Sequence, residues 1–207
     1  MSKVTLKQLL AATAVASFVA ACAQVETEPS TQELEPAAKV SHPVGTTVVV
    51  EDMGEQITWQ KTASTDQGGV WEGSNGCTYT KTNNNTFAPS VKFEGCSGST
   101  GTQTIQSKSG ALFPLEVGNT ASWSITGKGG GNTWETTNRC EVVETVNLNV
   151  PAGNYNAFRV VCRDSWNTRT YFYAPDVSTN VAFVRMHKNR GKEADSKLVT
   201  PPSGPAS

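Results

Sequence analysis

Several carboxylates in this sequence are candidates for acid–base chemistry, because a pair of them can hydrolyse a glycosidic bond. The candidates are Glu72, Glu135, Glu141, Glu144, Asp164 and Asp176. Glu144 is the most unusual, since it occupies a position where the surrounding strand pattern otherwise has apolar side chains. We expect Glu144 to be a functional carboxylate that faces a ligand, to be turned outward by a β-bulge, or to pair with Arg159 or Arg163 across a hairpin.

Nucleophilic and phosphate-transfer chemistry have little support in the residue pattern. A catalytic triad in the body of the chain would depend on His187, which we expect at a strand end on the surface. The stretch GCSGSTG at 95–101 lacks the spacing of a nucleophile elbow. The stretch TGKGGGNTW at 126–134 has Ser122 where a P-loop needs its first glycine, so we interpret it as a hairpin turn. We therefore predict no catalytic residue, no metal site and no cofactor.

The first 21 residues have the organisation of a secretory signal. Lys3 and Lys7 precede an uncharged run from Leu9 to Ala21, and small residues follow the most apolar part. That run of about 13 residues is too short for a comfortable transmembrane helix, which needs roughly 20. The sequence therefore predicts a signal peptide at 1–21.

Val19-Ala20-Ala21-Cys22 resembles the lipobox of bacterial lipoproteins. The resemblance implies cleavage before Cys22, a diacylglycerol thioether on that cysteine and a fatty acid such as palmitate on its new amino group. Several acyl chains, at about 0.8 kcal/mol per buried CH₂, hold a protein firmly on a membrane. Ala23 stands where an aspartate in this family often retains the protein at the inner membrane. The resemblance therefore favours the outer membrane, with the protein facing the periplasm.

Export would place the other four cysteines in an oxidising compartment. Four cysteines allow three connectivities. We favour Cys77–Cys96 and Cys140–Cys162, because each pair brackets one strand–turn–strand segment. A zinc site is disfavoured, because these cysteines lack C-x-x-C spacing.

Charge and aromatic content limit the classes of ligand. The chain carries 17 basic and 18 acidic side chains, so no basic face for nucleic acid is expected. Five tryptophans can supply stacking platforms for a ligand, although packing within a sheet is their usual role. Trp166 follows a charged turn, so it is the one that we expect to be exposed and to face a ligand.

A period-two alternation positions these residues. In RCEVVETVNLNV the even positions from Cys140 to Val150 are mostly apolar, and after the turn PAGN the stretch YNAFRVVCRD puts Phe158, Val160 and Cys162 on one face. Asn75-Gly76 marks another hairpin. About ten to twelve such strands predict an all-β fold, an antiparallel sandwich or open barrel stapled by two disulfides.

Composition predicts the domain boundaries. We expect the lipidated cysteine and a disordered linker at 22–42, a single β-domain at 43–187 and a disordered tail at 188–207. As a flexible coil, the linker would place the domain about 25 Å from its anchor.

Three stretches together resemble a class of bacterial envelope β-proteins of unknown function. They are LFPLEVGNTASW at 112–123, VNLNVPAGNYNAFRV at 146–160 and YFYAPDV at 171–177. The resemblance covers about residues 112–185 and implies a fold and a location but no activity. Ser178 stands where those proteins usually have glycine.

These observations favour a non-enzymatic binding or structural module of the cell envelope, bound to the membrane through its lipid anchor. Its expected partner is another envelope protein or peptidoglycan, not nucleic acid. One alternative is a carrier of an apolar ligand in a partly open β-fold, which a large apolar cavity would favour. A second is a carboxylate-dependent hydrolase, which two acids about 5–10 Å apart in a cleft would favour.

Overall fold

The computed structural model describes residues 25–30, 33–82, 87 and 90–204. These residues form thirteen strands: β1 Thr27–Pro29, β2 Thr47–Asp52, β3 Glu55–Thr65, β4 Gly68–Gly73, β5 Thr78–Lys81, β6 Lys92–Cys96, β7 Ser99–Gly110, β8 Thr120–Gly129, β9 Asn132–Val150, β10 Gly153–Arg163, β11 Asn167–Ala174, β12 Thr179–His187 and β13 Gly191–Ser203. A single 3₁₀ turn at Pro175–Val177 joins β11 to β12. Within the described ranges, no helix is long and apolar enough to cross a membrane.

Twelve of the strands close into an antiparallel barrel. Sequential neighbours pair from β2 through β13, and β13 returns to pair with β2. The strand β1 lies outside this ring and pairs with the far end of β9. The prediction of an all-β antiparallel fold is confirmed. Of the two predicted architectures, a sandwich and an open barrel, the barrel is correct, and its ring of strand pairings is closed.

Two apolar clusters form the core, and they lie on opposite faces of the central strands. In β11, Tyr171 and Tyr173 belong to the first cluster, whereas Phe172 and Ala174 belong to the second. A strand that is buried on both faces reads as a continuous apolar run, as this one does. The first cluster is built around Trp123, which is 1% exposed.

A β-bulge in β9 divides the apolar side chains of this strand between the two clusters. Val142 pairs with Val160 and Glu144 pairs with Arg159, so Val143 is an extra residue with no partner in β10. Because each extra residue inverts the alternation, the even positions before and after it point to opposite faces. The prediction that all the even positions of 140–150 share one face is therefore wrong: Cys140 and Val142 join the first cluster, and Val146, Leu148 and Val150 join the second.

Both predicted disulfides are confirmed. Cys77 and Cys96 join the entry to β5 and the end of β6, and Cys140 and Cys162 lie directly opposite each other on β9 and β10. The second bridge is fully buried, with its cysteines 3% and 0% exposed. It fixes the register of the β9–β10 hairpin at this point.

The predicted disordered tail at 188–207 is wrong over most of its length. Residues 191–203 form β13, which lies between β12 and β2 in the ring. Ala194 is 5% exposed and Leu198 is 0% exposed, so two residues four positions apart anchor this polar stretch in the core. Because charged and polar residues surround these two, the composition of the segment alone indicates a solvated tail rather than a strand.

The predicted disordered linker at 22–42 is also wrong where the structure describes it. Thr27–Pro29 pairs with Leu148, Asn147 and Val146 of β9. Ala37 exchanges two backbone hydrogen bonds with Leu115, at 3.0 and 2.8 Å, and packs in the first cluster. Ala37 docks through a buried side chain, whereas Thr27–Pro29 is exposed and pairs through its backbone, so the folded body extends beyond the predicted 43–187 on both sides.

Candidate functional site

A groove with a volume of about 810 Å³, lined about equally by polar and apolar surface, crosses strands β7 to β10. Its polar lining residues alternate along β8 and β9 with core residues such as Trp123, because successive side chains point to opposite faces of a strand. The groove ends at the β10–β11 turn. Hydroxyl and guanidinium groups line it: Ser109, Ser122, Thr137, Arg139, Arg163 and Ser165.

Arg139 and Arg163 lie directly opposite each other across the β9–β10 pair. Side chains in such positions have Cβ atoms about 4.5–5.5 Å apart. The adjacent pair in the register is the Cys140–Cys162 disulfide, which keeps the two arginines aligned. Both arginines are exposed, and neither forms a salt bridge with any residue that the structure describes.

Asp164 at the end of the groove is a structural residue. One carboxylate oxygen, Oδ1, accepts the N–H groups of Trp166 and Asn167 at 2.8 and 2.7 Å, and Oδ2 contacts Arg169 Nη1 at 2.5 Å. Burial by itself would raise the pKa of Asp164, but the Arg169 guanidinium and the two amides hold this pKa below its usual value. Asp164 is therefore ionised and already neutralised by Arg169.

The predicted site residues Glu144 and Trp166 do not line this groove. Glu144 follows the bulge and pairs with Arg159 Nε at 2.7 Å, which is one of the outcomes expected for it. Trp166 is half-buried, and its backbone N–H and carbonyl are used by Asp164 and Lys188. Cys22 lies outside the described residues, so its lipidation stays a prediction.

His187 is buried rather than on the surface as expected. It is 8% exposed at the end of β12, and its Nδ1 accepts the backbone N–H of Asn189 at 3.2 Å. This hydrogen bond belongs to the β12–β13 turn. In the part of the chain that the structure describes, no group of three His, Cys, Asp or Glu side chains is arranged to hold a metal ion.

A second histidine fastens the N-terminal segment to the barrel. His42 Nε2 lies 3.0 Å from the carbonyl oxygen of Ser178, and its ring meets Trp71 edge-on at 6.1 Å between centroids. Lys61 donates to the His42 carbonyl at 2.7 Å. Burial lowers the pKa of His42, and Lys61 lowers it further against the opposing effect of Ser178. The contact therefore persists with a neutral imidazole.

Arg139 and Arg163 were not among the site residues predicted from the sequence, where Arg163 entered only as a candidate partner of Glu144. The signal was present, because a disulfide between directly opposed Cys140 and Cys162 places residues 139 and 163 opposite each other in an antiparallel pair. Two arginines in that relation are unusual, since like charges directly opposite are destabilising.

No protein-family model matches the chain, and no curated protein matches its sequence. Three solved bacterial structures are similar to it. The hypothetical lipoprotein YmcC from Escherichia coli (K12) aligns with a TM-score of 0.47 and 10% identity, over 82% of this chain and 91% of that one. A proposed exported protein with a YmcC-like fold from Bacteroides fragilis NCTC 9343 aligns with a TM-score of 0.40 and 11% identity, over 81% and 99% of the two chains. A proposed lipoprotein from Parabacteroides distasonis ATCC 8503 gives 0.37 and 11%, over 82% and 100%. Similarity of fold does not carry a function from one protein to another.

Proposed function

We propose that this chain is a lipid-anchored protein of the bacterial cell envelope that works as a non-enzymatic binding module, with the groove as its binding surface. The observation that carries the proposal is the pairing of β1 with β9. This pairing ties the polypeptide just after the lipobox to one end of the barrel, and the groove lies toward the other end.

The short distance from the anchor to β1 sets the orientation. Cys22 precedes Thr27 by five residues, and Thr27 lies opposite Leu148, near the β9–β10 turn. Five residues of extended chain span at most about 18 Å. A lipid on Cys22 would therefore hold the β9–β10 turn close to the membrane surface, with much less freedom than a coil of twenty residues would allow.

The groove opens far from that turn. Arg139 precedes Leu148 by nine residues along β9, a separation of up to about 30 Å at 3.4 Å per residue. A ligand in the groove would approach from the side away from the anchoring membrane. For an outer-membrane protein facing the periplasm, another envelope protein or peptidoglycan is then within reach.

The carboxylates of this region favour binding over hydrolysis. Asp164 is held ionised by Arg169, and Glu144 is paired with Arg159. Among the described residues that line the groove, Glu141 is the remaining carboxylate, and a single carboxylate does not provide the acid and the base that glycoside hydrolysis requires. The apolar-carrier alternative is also disfavoured, because charged and hydroxyl side chains line the groove and Trp123 is packed in the apolar core.

Fatty-acid labelling tests the anchor. Radiolabelled palmitate should enter the wild-type protein and not the Cys22→Ser variant, and the wild type should fractionate with the outer membrane. Equal labelling of the two proteins would refute the anchor.

Site-specific crosslinking tests the binding surface. A photo-crosslinking amino acid at Ser122 in the groove should give adducts in intact envelopes. The same group at Met53, which is 58% exposed in the β2–β3 turn, is the control and should give none above background. Adducts from Met53 but not from Ser122 would place the binding surface elsewhere.

A further inference from the structure

We infer that Arg139 and Arg163 together form a binding site for a phosphate group within the groove. The inference rests on the proposed function, because it names the chemical class of ligand that the groove takes. It is carried by the register of two guanidinium groups that form no salt bridge with the residues described by the structure, and by the hydroxyl groups around them.

The juxtaposition of the two arginines costs free energy unless a counter-charge lies between them. Like charges directly opposite on neighbouring strands repel, and the Cys140–Cys162 bridge prevents the strands from shifting to separate them. Arg159, which lies on β10 as Arg163 does, has no such repulsion, because the residue directly opposite it on β9 is Glu144, with which it forms a salt bridge. An anion between Arg139 and Arg163 would remove the repulsion and use both guanidinium groups.

The number of donors favours phosphate over a carboxylate. One arginine already satisfies a carboxylate in a bidentate pair, whereas a phosphate offers oxygens to two arginines at once. Ser122, Thr137 and Ser165 also line the groove and add hydroxyl donors. The groove is therefore built for an anion with several oxygens.

The acidic residues nearby leave this positive charge available. Asp164 is neutralised by Arg169. Glu141 lies two residues from Arg139 on the same strand and lines the groove, yet it forms no salt bridge with either arginine. Among the described residues that line the groove, Arg139 and Arg163 thus carry two positive charges against the single negative charge of Glu141, so their sum is positive and favours an anion.

Titration calorimetry with the full chain in detergent micelles tests the inference, with inorganic phosphate as the probe. Arg139→Gln and Arg163→Gln should each weaken phosphate binding at least tenfold. Arg159→Gln is the matched control, because it removes from β10 an arginine that is already paired with Glu144. It should change phosphate binding less than twofold. Equal binding by all four proteins, or no binding by the wild type at 10 mM phosphate, would overturn the inference.

Thermal unfolding separates this role from a structural one. Because each groove variant relieves a like-charge repulsion, Arg139→Gln and Arg163→Gln should unfold at the same temperature as the wild type or at a higher one in phosphate-free buffer. Added phosphate should then raise the unfolding temperature of the wild type more than that of either variant. A lower unfolding temperature for both variants without phosphate would show that the arginines serve the fold, contrary to the inference.

The source of the phosphate is distinguished by a second probe, glycerophosphoglycerol, which carries the phosphodiester of a lipid headgroup. Tighter binding of this diester would assign the site to headgroups or phosphodiester polymers, and tighter binding of inorganic phosphate would assign it to free phosphate or monoesters. The inference and the proposed function fail separately. Ser122 crosslinks that persist in an Arg139→Gln, Arg163→Gln double variant would leave the groove as a binding surface while rejecting phosphate recognition.

Discussion

Replacing Asp164 by asparagine tests whether the end of the groove is held by a buried ion pair. The substitution keeps an oxygen that can accept the Trp166 and Asn167 N–H groups, and it removes the charge that faces Arg169. The Asp164 side chain is 3% exposed and that of Arg169 is 15% exposed, so the arginine would be left unpaired with little access to water.

The expected loss follows from this burial. Breaking a buried ion pair by removing one partner costs about 3–5 kcal/mol, and we expect about 3 kcal/mol because Arg169 retains some exposure. Asp164→Ala also removes the acceptor for two backbone N–H groups, which should lower the free energy of unfolding by about 1–2 kcal/mol more. Urea unfolding at pH 7 measures the loss of stability in both variants. Urea is preferred to guanidinium chloride, because the salt would screen the Asp164–Arg169 ion pair.

The pH dependence gives an independent reading of the same contact. The pKa of Asp164 is lower in the folded protein than the usual value of about 3.9 in an unfolded chain. Its contribution is therefore fully present above that unfolded value and is lost as the pH falls through the lower folded pKa. Between pH 7 and pH 3, the wild type should lose more stability than Asp164→Asn, which has no group to protonate at this position.

The exposed pair of Lys92 and Glu94 is the matched control. Its side chains are 46% and 47% exposed, so Glu94→Gln should cost no more than about 0.5 kcal/mol. If Asp164→Asn were as mild as Glu94→Gln, or if its stability followed the wild-type pH profile, the assignment of Asp164 as an ionised structural residue would be refuted.

Three further perturbations test the fold. Replacing Cys140 and Cys162 by serine should lower the free energy of unfolding by at least about 3 kcal/mol, measured by urea denaturation, because the bridge closes a loop of about 22 residues and is buried. Leu198→Asp should abolish cooperative thermal unfolding, because Leu198 is 0% exposed. A stable variant would contradict the assignment of residues 191–203 to the barrel. Deleting Val143 removes the bulge and turns the residues after it to the opposite faces, so circular dichroism should show loss of the fold; a native spectrum would contradict the role of the bulge.

Local patterns predicted a large part of this structure. The period-two alternation, the Asn75-Gly76 turn and the glycine turn at 129–131 predicted antiparallel hairpins, and each hairpin is present. The disulfide pairs followed from the same hairpins, because each pair of cysteines brackets a short strand–turn–strand segment. These features depend on residues that are near one another along the chain.

The two errors of domain boundary fell on segments whose partners are distant in sequence. β13 was predicted to be disordered because the stretch 188–207 is polar and ends in proline, glycine and serine, but Leu198 is buried by contacts with β2 and the β9–β10 turn. β1 was predicted to be linker for the same reason, although its three residues pair with β9 more than a hundred positions away. Composition measures how much apolar surface a segment has, and it does not measure how much surface the rest of the protein offers to that segment.

The sequence by itself predicted lipidation at the start of the chain and determined the local strand pattern, since a lipobox-like motif and an alternating strand each depend on a few adjacent residues. Only the tertiary structure decided that the barrel closes, which face each side chain of β9 takes, and that hydroxyl groups of β7 and β8 line one groove with Arg139 and Arg163. The physical reason is that a single extra residue in a strand reverses the face on which every later side chain lies. Whether the strand contains such a bulge depends on packing against strands that are distant in sequence.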